Sequence, residues 1–124
     1  MLSKEKNTIL FATAMAFFGA VSGALADDQA GTVLAQFELN GTEASGAPLT
    51  GFFDRILSGT KSFEGNKSAK YFVSIDDPSQ ILLLEEWESK EDFDAYLDWR
   101  IKRGDFAELK SLLEAEPVLT FYQR

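Results

Sequence analysis

Apolar residues along this chain recur at two periods, and the period switches several times. Between Thr32 and Leu39, Val33, Ala35, Phe37 and Leu39 share one face while Gln36 and Glu38 take the other. That is the period-two alternation of a half-buried strand. Asn40 to Pro48 is rich in Gly, Ser and Ala and reads as a loop. From Leu49 to about Phe63 the apolar residues Phe52, Phe53, Ile56, Leu57 and Phe63 recur at helical spacing, and Gly65-Asn66 supplies a C-terminal stop. Ala69 to Ile75 alternates again, with Ala69, Tyr71, Val73 and Ile75 on one face. Asp76-Asp77-Pro78-Ser79 is a turn, and the run after it, Gln80 to Glu88, is the third strand. Ile81-Leu82-Leu83-Leu84 makes that strand hydrophobic on both sides, which predicts cover on both faces. The short turn predicts a hairpin between the second and third strands.

Ser89, with Asp92 three residues later, resembles a capping box in which Asp replaces the usual Glu. Phe93, Tyr96, Leu97 and Ile101 form the stripe of the helix it starts. Gly104 interrupts that helix, and Asp105 is the expected cap of a further one with Phe106, Leu109, Leu112 and Leu113 on its core face, ending at Glu116-Pro117. Val118 to Tyr122 closes the pattern as a short strand. The order β-α-β-β-α-β predicts a ferredoxin-like α+β fold with a four-stranded antiparallel sheet.

The first 26 residues are read separately. Lys4 and Lys6 precede an apolar run from Ile9 to Ala26, which ends in Ala24-Leu25-Ala26 ahead of Asp27 and Asp28. This is the layout of a secretory signal peptide cleaved after Ala26. An uncleaved anchor is the alternative, diluted by Gly19, Ser22 and Gly23 and short for a span. The expectation is therefore an exported, periplasmic domain over residues 27–124, with no stable membrane span once the segment is removed.

Composition narrows the chemistry. The formal charge of −8 repels phosphate backbones, so nucleic acid is not an expected partner. The chain contains no cysteine and no histidine. It thus has no disulfide, no thiolate nucleophile, no sulfur-ligated zinc or iron–sulfur cluster and no imidazole for a triad, a metal or a haem. Glycines are scattered, without a phosphate-loop pattern, and the acidic clusters lack calcium-loop spacing. No cofactor and no metal are expected. A small domain without disulfides in an oxidising compartment gains from a subunit interface.

The segment Leu82-Leu83-Leu84-Glu85-Glu86-Trp87-Glu88-Ser89, followed by a helix carrying Phe93 and Tyr96, resembles the third strand and second helix of the antibiotic biosynthesis monooxygenase domain. Asp76-Asp77-Pro78 and Glu64-Gly65 fit the same pattern. Tyr96-Leu97-Asp98-Trp99-Arg100, Gly104, Glu116-Pro117 and Phe121-Tyr122 are similar to its quinol monooxygenase-like branch. The resemblance implies a homodimeric α+β barrel with two sheets face to face and helices outside. It also implies a pocket between sheet and helices for a flat aromatic or quinone-like ligand, oxidised in some members by dioxygen without metal or flavin. Other members degrade haem with an Asn, the Trp of the Glu-x-Trp motif and a His. Trp87 is here, but the absence of histidine sets this chain apart from that branch.

Arg100 is the first candidate for chemistry. At 100° per residue from Phe93 it falls at about −20°, within the apolar face, so its charge needs a partner or a route to water. It is either an ion-paired structural residue, with Glu85 or Glu86 as partner, or an anchor for a phenolate or semiquinone oxygen. Tyr96 and Trp87 are the other catalytic candidates. Phe52, Phe53, Tyr71, Glu85 and Trp99 are the candidates for contact with a ligand, and each has a packing role as its alternative. With histidine missing, a buried Glu85 or Glu86 of raised pKa is the remaining general base. Three functions stay open: a cofactor-independent monooxygenase acting on a quinol or other electron-rich aromatic, a module that binds such a ligand without turnover, and a structural dimer of the same fold.

Overall fold

Val33, Ala35, Phe37 and Leu39 are all buried, along one face of β1 (Val33–Asn40). They belong to a computed structural model that describes residues 31–124. The expected signal segment 1–26 and nearly all of the lead-in from Asp27 lie outside the described residues. After β1 come α1 (Ala47–Ser62), β2 (Asn66–Val73), β3 (Gln80–Trp87), α2 (Lys90–Arg103), α3 (Asp105–Ser111) and β4 (Val118–Gln123). The strands form one sheet in the order β2-β3-β1-β4, each neighbouring pair antiparallel. This is the ferredoxin-like α+β arrangement that the residue pattern predicts.

Several boundaries differ from expectation, each for a local reason. The first helix starts at Ala47, ahead of the expected Leu49, because Pro48 suits the first turn, where no amide partner is needed. Ser89 does cap α2, accepting from the Asp92 amide at 3.0 Å. Gly104, at φ 92°, ends α2 and also begins α3. Asp105 is therefore the first residue of α3 and not its cap, and its carboxylate is turned to two arginines instead. Leu112 and Leu113 leave the helix before Glu116-Pro117. The Leu112 carbonyl accepts from the Thr42 amide at 3.0 Å and the Glu114 amide donates to Asn40 at 2.8 Å, so pairing with the end of β1 replaces the next helical turn.

The edge strand β2 departs most from its sequence pattern. Ala69 is buried and Tyr71 half-buried beneath Phe53, but Val73 is exposed and Ile75 lies beyond the strand at 97% exposure. On β3, Ile81, Leu83, Glu85 and Trp87 are buried under the helices, whereas Leu82, Leu84 and Glu86 are only half-buried. The expected cover on both faces is thus absent within one chain. Register puts Leu34 of β1, Phe72 of β2 and Tyr122 of β4 on that same uncovered side. The core lies wholly between the other face and the helices, around Phe37, Phe52, Phe53, Leu83, Trp87 and Phe93. Among the described residues no helix is long and apolar enough to cross a membrane.

Candidate functional site

One row of residues crosses the sheet in register: Ala69, Glu85, Ala35 and Phe121. The two alanines flank Glu85 along this row. The Glu85 side chain lines a chamber of about 40 Å³ beneath the helices. Its walls include Phe37, Phe52, Phe53, Ile56 and Leu83, and its polar groups are Glu85, Tyr96, Arg100 and Asp105.

Glu85 is 2% exposed. Oε1 accepts a hydrogen bond from Trp87 Nε1 at 3.1 Å, from two residues along the same strand. Among the described residues no second hydrogen bond reaches the carboxyl. Burial pushes its pKa up to about 7, against the opposing pull of the Trp87 indole and the Arg100 charge.

Tyr96 and Arg100 stand one turn apart on α2, so both point to the same side. The Tyr96 hydroxyl shares a 2.7 Å hydrogen bond with Thr60 Oγ1 of α1 and accepts from Arg100 Nε at 2.9 Å. Burial raises the Tyr96 pKa, a negative Glu85 would raise it further, and Thr60 and Arg100 pull the other way without reversing the shift. Arg100 also donates from Nη2 to the Ile56 carbonyl at 2.9 Å and to Thr60 Oγ1 at 3.3 Å, and from Nη1 to Asp105 at 2.7 Å. Burial opposes its charge, and the Tyr96 and Asp105 contacts outweigh that opposition, leaving its pKa above the ordinary arginine value. Asp105 is desolvated in turn, yet its two arginine partners hold its pKa below the usual carboxylate range.

The partner of Arg100 is accordingly Asp105, not the expected Glu85 or Glu86. Glu86 points to the opposite face of the sheet. Of the other candidates, Phe52 and Phe53 line the chamber with Tyr96 and Glu85. Trp87 is fully buried behind it, 5.0 Å between ring centroids from Tyr96, and reaches the site through its indole N–H. Trp99 is outside the chamber. Its ring meets Phe63 at 5.2 Å and lies under the Arg100 and Arg103 guanidinium groups, at 4.7 and 5.2 Å. Tyr71 is also outside, its hydroxyl donating to Asp54 at 2.7 Å.

Sequence reasoning missed Gly59 and Thr60 altogether. A Cβ at Gly59 would sit 3.1 Å from Arg100 Nη2, so the bare backbone there admits the guanidinium to the helix interface. The signal was a Gly-Thr pair late in an otherwise apolar helix, where neither residue favours helix formation. Among the described residues no group of three acidic, histidine or cysteine side chains could hold a metal ion.

The family model described as antibiotic biosynthesis monooxygenase matches residues 31–100, which include all of the polar chamber residues except Asp105. Solved structures share the fold at low identity. SnoaB, a cofactor-independent oxygenase from Streptomyces nogalater, superposes with TM-score 0.66 at 14% identity, over 75% of this chain and 92% of that one. Rv0793 from Mycobacterium tuberculosis gives TM-score 0.65 at 18% identity, over 73% and 92%. A conserved protein from Methanosarcina mazei gives 0.67 at 15% identity, over 74% and 91%. No curated protein matches the sequence.

Proposed function

This chain belongs to the antibiotic biosynthesis monooxygenase family, and on that premise we propose that it oxidises a small quinol or other electron-rich phenol with dioxygen. The observation that carries the reading is the meeting of Glu85, Tyr96 and Arg100, with Asp105 paired to the arginine, on a chamber whose other walls are apolar. An aromatic ring needs apolar walls, and its hydroxyl needs the polar end. A phenolate formed there would be stabilised by the Tyr96 hydroxyl and the Arg100 charge in surroundings from which water is largely excluded. In the overall reaction a hydroquinone and dioxygen give a hydroxyquinone and water. One oxygen atom enters the ring and the other is reduced.

The chamber of about 40 Å³ is well below the roughly 150 Å³ that holds a benzene ring. A substrate therefore enters by displacing part of the wall, whose half-buried apolar members are Ile56, Leu57, Leu97 and Phe106. In the same proposal the protein works as a homodimer joined through the half-buried sheet face, and outside the cytoplasm after loss of residues 1–26. That the four hydrogen bonds of Arg100 are already made within the protein favours a second reading, a module that binds the aromatic without turning it over.

Oxygen uptake over a quinol panel, with isotopically labelled dioxygen, tests the first reading against the second. Oxidation yields uptake above a heat-inactivated control and one labelled oxygen in the product. Saturable quenching of tryptophan fluorescence without uptake leaves only binding.

A further inference from the structure

We propose that Glu85 is a catalytic residue of this chamber, accepting the phenolic proton of the substrate at Oε2. The assignment rests on the oxidation reading above and adds to it the proton's destination and the acidity of the substrate.

Three observations support it. Glu85 lines the chamber together with Tyr96 and Arg100, from a strand position paired in register with Ala69 and Ala35. Its only side-chain hydrogen bond among the described residues is the Trp87 indole on Oε1, so Oε2 is an acceptor with nothing to accept from. A buried acceptor in that state is unfavourable until a donor arrives, and a substrate hydroxyl is such a donor. Finally, the other ionisable groups on the chamber are unsuited to the task. Tyr96 is held protonated, Arg100 is held charged, and Asp105 is occupied by Arg100 and Arg103.

These three groups, Tyr96 and Arg100 from α2 and Asp105 from α3, are the titratable ones that share the chamber with Glu85. The flanking strands present Ala35 and Ala69 in its row, and α1 lines the chamber with Phe52, Phe53, Ile56 and Leu57. Burial poises the carboxyl at about 7, where a base is half-available near neutral pH.

In the step assigned to it, the substrate O–H bond breaks and the proton moves to Oε2. The electron pair stays on the phenolate oxygen, beside Tyr96 and Arg100. The proton returns to oxygen when dioxygen is reduced to water. A built-in acceptor matters for phenols of ordinary acidity, with pKa near 10 like tyrosine, which scarcely ionise alone at neutral pH. The substrate class is thus simple hydroquinones and phenols rather than strongly acidic ones.

The test compares wild type with Glu85→Gln and Glu85→Asp, using a simple hydroquinone and oxygen uptake across pH. Wild-type kcat/KM should rise with pH up to about 7 and then level. Glu85→Gln should lose about 100-fold or more and the inflection with it, and Glu85→Asp should regain part of both. Wild-type rate and profile in a folded Glu85→Gln overturn the assignment and leave oxidation standing. If Glu85→Gln does not fold, a wild-type rate that is flat across that inflection overturns it. If wild type oxidises no quinol, the oxidation reading fails separately, and the assignment is decided by binding a nitrophenol below its own pKa. Its phenolate absorption should then be stronger on wild type than on Glu85→Gln. Equal absorption, or no binding, overturns the assignment.

Discussion

Arg100 Nη1 lies 2.7 Å from a carboxylate oxygen of Asp105, across the corner made by Gly104. The two residues are nearly adjacent in sequence but belong to different helices. Their pairing folds α3 back against α2, so that Asp105, Phe106 and Leu109 become chamber wall. With Nε on Tyr96 and Nη2 on the Ile56 carbonyl, the same guanidinium joins three helices around the cavity. The side chain that the helical wheel singles out is therefore a frame for the site, and any contact with substrate is made by a group already held in place.

Removing that frame should be expensive. Arg100→Ala leaves half-buried Asp105 with Arg103 alone and takes a donor from Tyr96, Thr60 and the Ile56 carbonyl, and a loss of about 3 kcal/mol is expected. Arg100→Lys should recover little, because one ammonium cannot reach Tyr96, Ile56 and Asp105 together. Urea denaturation of both variants measures this. A stability close to wild type for Arg100→Lys would mean that the fork geometry is unimportant.

Tyr96→Phe removes a single oxygen that accepts from Arg100 Nε and is bonded to Thr60. Its ring contacts with Trp87, Phe63 and Trp99 need not change. The expected cost is about 1–3 kcal/mol, from the buried partners left unpaired. Thermal melts of Tyr96→Phe and Thr60→Val, singly and combined, check the coupling. Purely additive losses would show that the two hydroxyls act independently.

Most of the fold, and half of the site, was legible in the chain. The alternation of Val33, Ala35, Phe37 and Leu39 marks the core face of β1, and Ser89 marks the start of α2, because both signals act over a few neighbouring residues. The Ala69–Glu85–Ala35 row was not legible, since three separate strands build it and register is a tertiary outcome. For the same reason the Arg100 partner was misplaced. A left-handed Gly104 redirects the chain and brings Asp105 back, and the wheel used to place Arg100 stops where that helix stops. The edge position of β2 explains its failed pattern: Val73 and Ile75 alternate correctly but extend past the helix layer that would bury them.

The face of the sheet away from the helices supplies a prediction about assembly. Phe72 and Tyr122 are 49% and 51% exposed there, beside half-buried Leu34, Leu82 and Leu84. Apolar surface of this kind on a sheet is unfavourable in water, and burial against a second copy would relieve that cost. Sedimentation velocity should find a dimer for wild type and a folded monomer for Leu84→Glu combined with Phe72→Glu. A wild-type monomer at micromolar concentration would exclude the proposed assembly.

Glu85 should also leave its mark on stability, whatever its role in catalysis. In the unfolded chain its carboxyl titrates near the ordinary 4.5, and in the fold at about 7. The folded state thus holds the proton more tightly. The contribution is fully present below about 4.5 and is lost as pH rises through about 7, to the extent of about 3 kcal/mol. Other carboxylates, such as Asp105 with its lowered pKa, act in the opposite direction and at lower pH, where their pairing is lost as protons bind. The difference between wild type and Glu85→Gln isolates Glu85 from these. Denaturation at a series of pH values should therefore show wild type falling relative to Glu85→Gln between about pH 4.5 and pH 7, and level above that. Parallel curves would mean that the Glu85 carboxylate is as well solvated folded as unfolded, and its burial against Trp87 would then have to be relieved by water.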